Sequence, residues 1–211
     1  MKLTLKVLLV AAVFLLVYMC YRSIMGPIEF NEEKTARDNA IIERLIDIRK
    51  AQIEYKNIHK VHAANFDELG KFLNEEKLPF LRKEGNLTDE QLEKGMTEQE
   101  AVKLGLIKRD TVWVLAKDTL FNANYNVADM RYVPGIPDER IQFSMDTATL
   151  YSGSGYQIKV FEAGVAFKDY LRGMDAQLRY NLIDKAEKQG KYAGLRVGSL
   201  EEINNNAGNW E

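Results

Sequence analysis

The stretch VLLVAAVFLLVYMCY, residues 7–21, is an unbroken run of apolar residues and decides the architecture of this chain. Extended back to Leu3, the run covers 19 residues and contains Lys6 as its one charge. A helix rises about 1.5 Å per residue, so the run spans roughly 28 Å, which is close to the hydrocarbon thickness of a bilayer. We therefore expect the segment from Leu3 to Tyr21 to lie in a lipid bilayer as a transmembrane helix.

The flanks of this run predict its orientation. Lys2, Lys6 and the amino terminus precede it, whereas Tyr18 and Tyr21 mark its far end. Positive charge stays on the cytoplasmic side, and tyrosine suits the interface. We expect a single-pass inner-membrane protein with a cytoplasmic N-terminus and a periplasmic C-terminal domain.

Two alternatives to a permanent anchor stay open. A cleaved signal peptide has the same charged and apolar regions but needs small residues before the cut. The candidate cleavage region here, residues 18–22, reads YMCYR and is bulky. A lipoprotein would need small residues before Cys20, where Tyr18 and Met19 stand. The sequence favours an uncleaved signal anchor over both.

The composition of the chain is that of an anchor followed by one globular domain. Of its 211 residues, 46% are hydrophobic and 28% are charged. Lys and Arg total 29 against 31 Asp and Glu, which argues against nucleic-acid binding. One cysteine and two histidines exclude an internal disulfide and leave little material for histidine-based catalysis. We expect an anchor over residues 1–25 and an extracytoplasmic α+β domain over residues 28–211.

A second helix is predicted from about Glu32 to Lys60, after a kink or break at Gly26-Pro27. One face of this helix is apolar and the opposite face is charged. The apolar stripe needs a partner later in the chain, so we expect its residues to be core: Ile41, Ile42, Leu45, Ile46, Ile48, Ala51, Tyr55 and Ile58.

Shorter helices are predicted at four places. One covers about residues 65–76, with Pro79 closing that region, and another covers about residues 175–189 before Gly190. Two capping-box pairs predict the starts of further short helices: Thr88 with Gln91, and Thr97 with Glu100.

Strands are predicted in the second half of the chain. Residues 111–116, TVWVLA, indicate a buried strand, and residues 130–133 a second one. Residues 141–151 alternate apolar with polar, and residues 156–167 return after a Ser-Gly turn, which predicts an antiparallel hairpin. The tail carries Trp210 and should be docked. The predicted fold is α+β: a transmembrane helix, a long amphipathic helix packed on a small antiparallel sheet, and peripheral short helices.

Candidate metal ligands and nucleophiles are weak. His59 and His62 have i,i+3 spacing, with Asp67 and Glu68 just beyond, but a third fixed ligand is missing. Histidine also suits a helix C-terminus without a metal. Two serines, Ser152 and Ser154, lie in a turn that the hairpin explains, and they form no GxSxG motif.

Carboxylates and glycine-rich motifs add no catalytic signal. The adjacent pairs Asp138-Glu139 and Glu201-Glu202 are typical of solvated surface. Phosphate-binding glycine motifs and EF-hand loops are absent from the sequence. We predict no catalytic, cofactor-binding or metal-binding residue and no enzyme activity.

Trp113 and Trp210 are expected in the core or in docking contacts, although either could form a ligand platform. Three tripeptides share the form Asp, Thr, apolar, and resemble an O-glycosylation signal of exported proteins in one group of Gram-negative bacteria. Strand entry would also favour Asp-Thr. An N-glycosylation sequon stands at Asn86. The tripeptides are Asp110-Thr111-Val112, Asp118-Thr119-Leu120 and Asp146-Thr147-Ala148.

One region resembles a known family. After the membrane helix come LIDIRKAQIEYKNIH, residues 45–59, and AANFDEL, residues 63–69. These segments resemble the long helix of type IV pilins and type II secretion pseudopilins, in which Ala-Gln-x-x-Tyr leads into a short Phe-x-x-Leu helix. The resemblance implies an antiparallel sheet packed on that helix. The prepilin peptidase site of those proteins has no counterpart between Met1 and Tyr21.

These observations together predict a membrane-anchored structural or interaction protein of the bacterial cell envelope, pseudopilin-like and without catalysis. The expected contacts are the lipid bilayer through residues 3–21 and either an envelope protein partner or a second copy of the chain. Two other functions stay open: a tethered ligand-binding module, and a carbohydrate-active enzyme with two carboxylates.

Overall fold

The protein is described by a computed structural model that covers residues 2–85, 87, 88, 91, 95, 97–122, 124–136 and 140–211. The helices are α1 (Lys2–His59), α2 (Phe66–Glu75), α3 (Glu98–Lys103), α4 (Ala116–Leu120), α5 (Phe167–Tyr170) and α6 (Ala176–Lys188). The strands are β1 (Lys77–Glu84), β2 (Lys108–Leu115), β3 (Ser144–Tyr151), β4 (Gln157–Ala166) and β5 (Gly194–Gly198). The predicted α+β class is confirmed. Two compact units divide the chain: Met1–Asn65 with Asp129–Glu211, and Phe66–Ala128.

The first unit is built on α1, which runs without interruption for 58 residues. The predicted break at Gly26-Pro27 is wrong, since Pro27 lies inside the helix. Proline fixes φ near the helical value and removes only one N–H donor. Gly26 has no Cβ, so the steric clash that a residue before proline normally suffers is smallest here. The anchor and the domain therefore share one helix.

The C-terminal half of α1 carries the core of this unit. Ile41, Leu45, Ile48 and Ala51 have no exposed surface, which confirms the centre of the predicted stripe. Ile58 is 40% exposed, so its assignment to the core is wrong. At 3.6 residues per turn, Ile58 lies about 80° around the helix from Ile48 and in the last turn, away from the buried face.

A three-stranded antiparallel sheet of order β3-β4-β5 packs against α1. The predicted hairpin is confirmed, with Ser144 opposite Gly164 and Tyr151 opposite Gln157. The sequence did not predict β5, whose five residues pair antiparallel with β4. Apolar residues of the sheet complete the core of the unit: Phe161, Ala163, Val165, Leu195 and Val197.

Residues 130–133 do not form the predicted strand. A 3₁₀ helix, Val127–Arg131, occupies the first half of this stretch, and Tyr132 makes an isolated bridge to Gln142. Met130 and Val133 are buried. The apolar side chains of this short run therefore reach the core from a tight turn.

The C-terminal part of the unit is docked, as predicted. Asp175 caps α6 by accepting hydrogen bonds from the N–H groups of Gln177 and Leu178. The tail folds back on β5, where the N–H of Gly198 donates to Ala207 and the N–H of Asn209 donates to Arg196. These bonds cover the outer edge of β5, which would otherwise present unpaired backbone groups.

The second unit contains α2 to α4 and a two-stranded ribbon. Leu69, Phe72 and Leu73 are the buried residues of α2, whose predicted span is confirmed. Strand β1, which pairs antiparallel with β2, was not predicted because Pro79 indicated the end of an element. Proline is tolerated at the edge of a sheet, and in a two-stranded ribbon each strand is an edge.

The predicted strand over residues 111–116 is confirmed, but its burial is wrong. Trp113 is 61% exposed and Val112 is 38% exposed. The second capping box is confirmed, since Thr97 and Glu100 bond each other's backbone at the start of α3. In the first capping box, between Thr88 and Gln91, the N–H of Thr88 donates to Oε1 of Gln91 at 2.9 Å.

Candidate functional site: the apolar helix and its junction with the domain

The first part of α1 exposes a continuous apolar surface. Between Leu5 and Ile24 the exposed fraction of the large apolar side chains runs from 51% at Val13 to 71% at Phe14. Soluble proteins rarely leave so large an apolar area in water. This helix is long and apolar enough to cross a membrane, and its most apolar stretch has no residue buried in the protein.

The far end of the apolar run carries aromatic and basic groups. Arg22 donates a hydrogen bond to the hydroxyl of Tyr18 at 3.2 Å, and Tyr21 is exposed beside them. These residues line a cavity of about 730 Å³ whose other wall is the loop at Gly173 and the start of α6. Tyrosine and arginine are the side chains that suit a headgroup layer.

A buried arginine ties α1 to the polypeptide after β4. Arg37 is 7% exposed, and its guanidinium donates to the carbonyl oxygens of Tyr170 at 2.6 Å and Arg172 at 3.2 Å. Glu33, one turn earlier on α1, pairs with the same guanidinium. A buried charge is tolerated only when its donors are satisfied, and these partners satisfy it.

Tyr170 completes this junction. Its side chain is fully buried, and its hydroxyl donates to Oδ1 of Asp38 at 2.6 Å. Burial, together with the Asp38 carboxylate, raises the pKa of Tyr170 above its usual range, so the hydroxyl stays protonated. Lys34 pairs with the other oxygen of Asp38. We call Glu33, Lys34, Arg37, Asp38 and Tyr170 the junction cluster.

The other end of α1 is held by a second buried polar residue. The side-chain amide of Gln52 donates to the carbonyl of Ala63 at 2.9 Å, and its oxygen accepts from the N–H of Ala63 at 3.0 Å. Lys60, with φ of 63°, ends the helix and turns the chain back. Gln52 therefore closes the turn that brings residues 61–65 against the helix.

The two histidines do not come together. Their i,i+3 spacing would place both on one face only if the helix continued, but α1 ends at His59. His59 is exposed and its ring lies 4.3 Å from that of Tyr55, whereas His62 is buried against Phe161 with ring centroids 4.8 Å apart. The described residues contain no cluster of three or more His, Cys, Asp or Glu that could hold a metal.

The remaining candidate residues lie on the surface. The hydroxyls of Ser152 and Ser154 are 3.0 Å apart in the hairpin turn. Glu201 and Glu202 are exposed, and Cys20 is exposed on the apolar run. The pair Asp138-Glu139 lies outside the described residues.

The two tryptophans differ in how exposed they are. Trp113 is exposed on the ribbon, so its prediction as a core residue is wrong. Trp210 is half-buried and lines a cavity of about 530 Å³ together with Tyr192, Lys185 and Glu202. A ligand platform is geometrically available at Trp210.

The three Asp-Thr sites also differ in access. Thr111 on β2 and Thr119 on α4 are exposed, whereas Thr147 on β3 is half-buried. Attachment of sugar to any of them stays a prediction. Asn86, the sequon residue, lies outside the described residues.

Sequence reasoning did not predict that Arg37, Asp38 and Gln52 join α1 to the domain, or that His62 is buried. Helical spacing held a signal for two of them, because Arg37 lies four residues before Ile41 and Gln52 lies four residues after Ile48. A polar residue in register with an apolar stripe indicates a buried group with a defined partner.

Comparison with known proteins finds no matching family model, no matching curated protein and no matching solved structure. What is established for this chain is a long apolar N-terminal helix, capable of spanning a membrane, joined to a small α+β domain.

Proposed function

We propose that the protein is a single-pass membrane protein whose extracytoplasmic domain serves as a structural or interaction component of the bacterial cell envelope. The observation that carries the proposal is α1 itself, one helix that exposes apolar side chains at one end and forms the domain core at the other. Such a helix couples the position of the domain to the membrane without a flexible linker.

The junction cluster supports this rigid coupling. It bonds α1 to the segment after β4 within about four helical turns of the apolar run. With the end of the run at the membrane surface, Tyr18, Tyr21 and Arg22 reach the headgroups, and the start of α6 lies beside them. The proposed orientation follows the charges: Lys2 and Lys6 in the cytoplasm, and the domain in the periplasm.

The proposed architecture is pseudopilin-like. A membrane helix continues into a helix that packs on an antiparallel sheet, and the short α2 follows it, in the element order of that resemblance. The sequence lacks the prepilin peptidase pattern, so we propose a permanently tethered subunit. Its partner would be an envelope protein or a second copy of the chain, and its role would not be catalytic.

Reporter fusions test the proposed topology. Alkaline phosphatase at the C-terminus, active only after export, should be active and membrane-bound, and green fluorescent protein at the same position should be dark. The untagged protein should keep its full mass of 24.2 kDa. An inactive phosphatase fusion, or a shortened protein in the soluble fraction, would contradict the topology.

Cross-linking at the single cysteine tests the proposed partner. Cys20 lies exposed near the end of the apolar run, where helices of two copies would meet. Mild oxidation in isolated membranes should give a dimer if the partner is a second copy, and Cys20→Ser should abolish it. If only monomer is recovered, a helix-to-helix contact between copies at this position is excluded and a different envelope protein is favoured.

A ligand-binding role is the second candidate, favoured by the cavity at Trp210. Titration of the Trp113→Phe variant with saccharides would report on Trp210 fluorescence alone. A saturable change that Glu202→Gln, at another residue lining the cavity, weakens would support this role.

A further inference from the structure

A small cavity lies in the first unit, at the hairpin end of the contact between α1 and the sheet. Its volume is about 250 Å³. The lining residues come from the turn after α1 and from the two hairpin strands: Val61, His62, Thr147, Ala148, Thr149, Lys159 and Val160.

The strand register explains why polar side chains collect here. Thr149 pairs with Lys159 and Thr147 pairs with Phe161, so all four project from one face of the sheet. Phe161 is fully buried under the His62 ring. Towards the hairpin turn, apolar packing therefore gives way to Thr147, Thr149 and Lys159.

His62 is the unusual member of this cavity. It is 5% exposed, and neither ring nitrogen makes a hydrogen bond within the described structure, although the carbonyls of Gln52 and Lys159 lie close enough to favour the charged form slightly. Buried polar atoms are almost always hydrogen-bonded, so these two nitrogens call for a partner that is not part of the chain. Burial, assisted by the Lys56 ammonium, lowers the pKa of His62 to about 4. At neutral pH the ring is uncharged and offers one N–H donor and one acceptor.

The charges around His62 are positive. Lys159 Nζ donates to Thr149 Oγ1 at 2.7 Å, and Lys56 Nζ donates to the Lys159 carbonyl at 2.8 Å. Each ammonium has three N–H donors, so donors remain after these bonds. From the elements packed here, α1 contributes Lys56 and β4 contributes Lys159; on β3 the carboxylate of Asp146 alternates to the other face.

We propose that this cavity binds a small inorganic oxyanion of the phosphate or sulfate class, held by the His62 N–H, the Lys159 ammonium and the Thr147 hydroxyl. These three groups can donate hydrogen bonds into the cavity and face no carboxylate among the lining residues, so they suit an anion with several acceptor oxygens. With residues 3–21 in a membrane as proposed above, a lipid phosphate of that membrane would not be the source, because 38 helical residues separate Tyr21 from His59, about 57 Å along α1. The inference is independent of the proposed function.

The chain offers a direct probe, since it has only two histidines. The full-length protein in detergent micelles, labelled with ¹³C at histidine Cε1, should give two ring signals, which His59→Gln assigns. Phosphate titrated at constant ionic strength should shift the His62 signal saturably at millimolar concentration and leave the His59 signal in place. Chloride over the same range should leave both signals unchanged. A parallel titration with sulfate shows which of the two oxyanions binds more tightly.

Substitutions locate the site. Lys159→Met should weaken phosphate binding at least tenfold and Lys159→Arg should retain it, whereas Lys168→Met, an exposed lysine on α5, should bind as wild type. Equal responses to phosphate and chloride in the wild-type protein would overturn the proposal without any variant. Unchanged affinity in a folded Lys159→Met protein would overturn it as well, and water would then be the partner of His62.

Discussion

The two halves of α1 contain similar apolar residues in one continuous helix, yet they have opposite surroundings. Between Leu5 and Ile24 the apolar side chains are exposed all around the helix, whereas Ile41, Leu45 and Ile48 are fully buried along one stripe. The difference lies in the arrangement of charge. A helix that is apolar all around and unburied in its own protein suits a lipid environment, whereas an apolar stripe backed by charged residues suits packing on a protein face, here the sheet.

Polar residues mark where one environment passes into the other. No side chain between Leu8 and Met19 bears a charge, but Glu33, Arg37 and Asp38 already take part in buried or half-buried bonds. Protein groups begin to surround α1 within this interval, and Glu33, Arg37 and Asp38 each have a specific partner there.

Charging the exposed half should have the largest effect. Two arginines, Leu9→Arg with Leu16→Arg, should cost about 5 to 7 kcal/mol of membrane insertion, since each arginine near the helix centre costs about 2.5 to 3.5 kcal/mol. We expect the variant to lose its membrane attachment in alkaline carbonate extraction. Ile203→Arg, at an exposed apolar residue of the tail, should stay in the membrane pellet. A double variant that remains in the pellet would show that the apolar run is not the anchor.

Truncating one leucine in each half should separate the two environments. Leu45→Ala should lower the free energy of unfolding of the domain by about 3 to 5 kcal/mol, through lost burial and a cavity. Leu15→Ala, at a residue that is 59% exposed, should change it by less than about 0.5 kcal/mol. Urea titration of the full-length protein in detergent measures both. Equal losses would mean that both halves pack on the domain.

Low pH should reduce the free energy of unfolding of the domain through protonation of His62. Its pKa is about 4 in the folded protein and about 6.5 in the unfolded chain, so between these values only the unfolded chain binds the proton. Stability is therefore complete above pH 6.5 and falls as the pH drops to 4, by about 3 kcal/mol at most. His62→Leu should remove this part of the pH dependence in urea titrations at pH 7 and 4.5, and His59→Gln should keep it. If the free energy of unfolding of His62→Leu fell with pH as steeply as that of the wild-type protein, other titrating groups would be the cause.

Removing one hydroxyl from the junction cluster should have the smallest effect. Tyr170→Phe deletes the hydrogen bond to Asp38 and should cost about 1 to 2 kcal/mol, because Lys34 still pairs with that carboxylate. Tyr180→Phe, at a tyrosine that is 62% exposed, is the matched control and should be neutral. The same urea titration distinguishes the two variants. An unchanged free energy of unfolding in Tyr170→Phe would show that the Tyr170 hydroxyl does not help to hold α1 on the domain.

Patterns carried by neighbouring residues were read correctly from the sequence. The extent of α2, the Thr97 capping box, the β3–β4 hairpin and α6 all depend on signals within a few residues. Local rules also failed where a residue is unusual in context. Gly26-Pro27 predicts a break, but the helix continues; Pro79 predicts an end, but a two-stranded ribbon accepts it. For the site, the apolar run was evident, whereas the junction cluster was not.

The sequence by itself determined that residues 3–21 are apolar enough to span a membrane, that an amphipathic helix follows over about residues 32–60, and that the class is α+β, because these depend on composition and on periods of two or 3.6 residues. Only the tertiary structure decided which polar residues are buried. Arg37 meets carbonyls more than 130 positions away, β5 completes the sheet from the end of the chain, and His62 is enclosed by a hairpin about 85 residues later. The physical reason is that desolvation and pairing depend on which distant segments meet, and periodicity along the chain carries no information about those meetings.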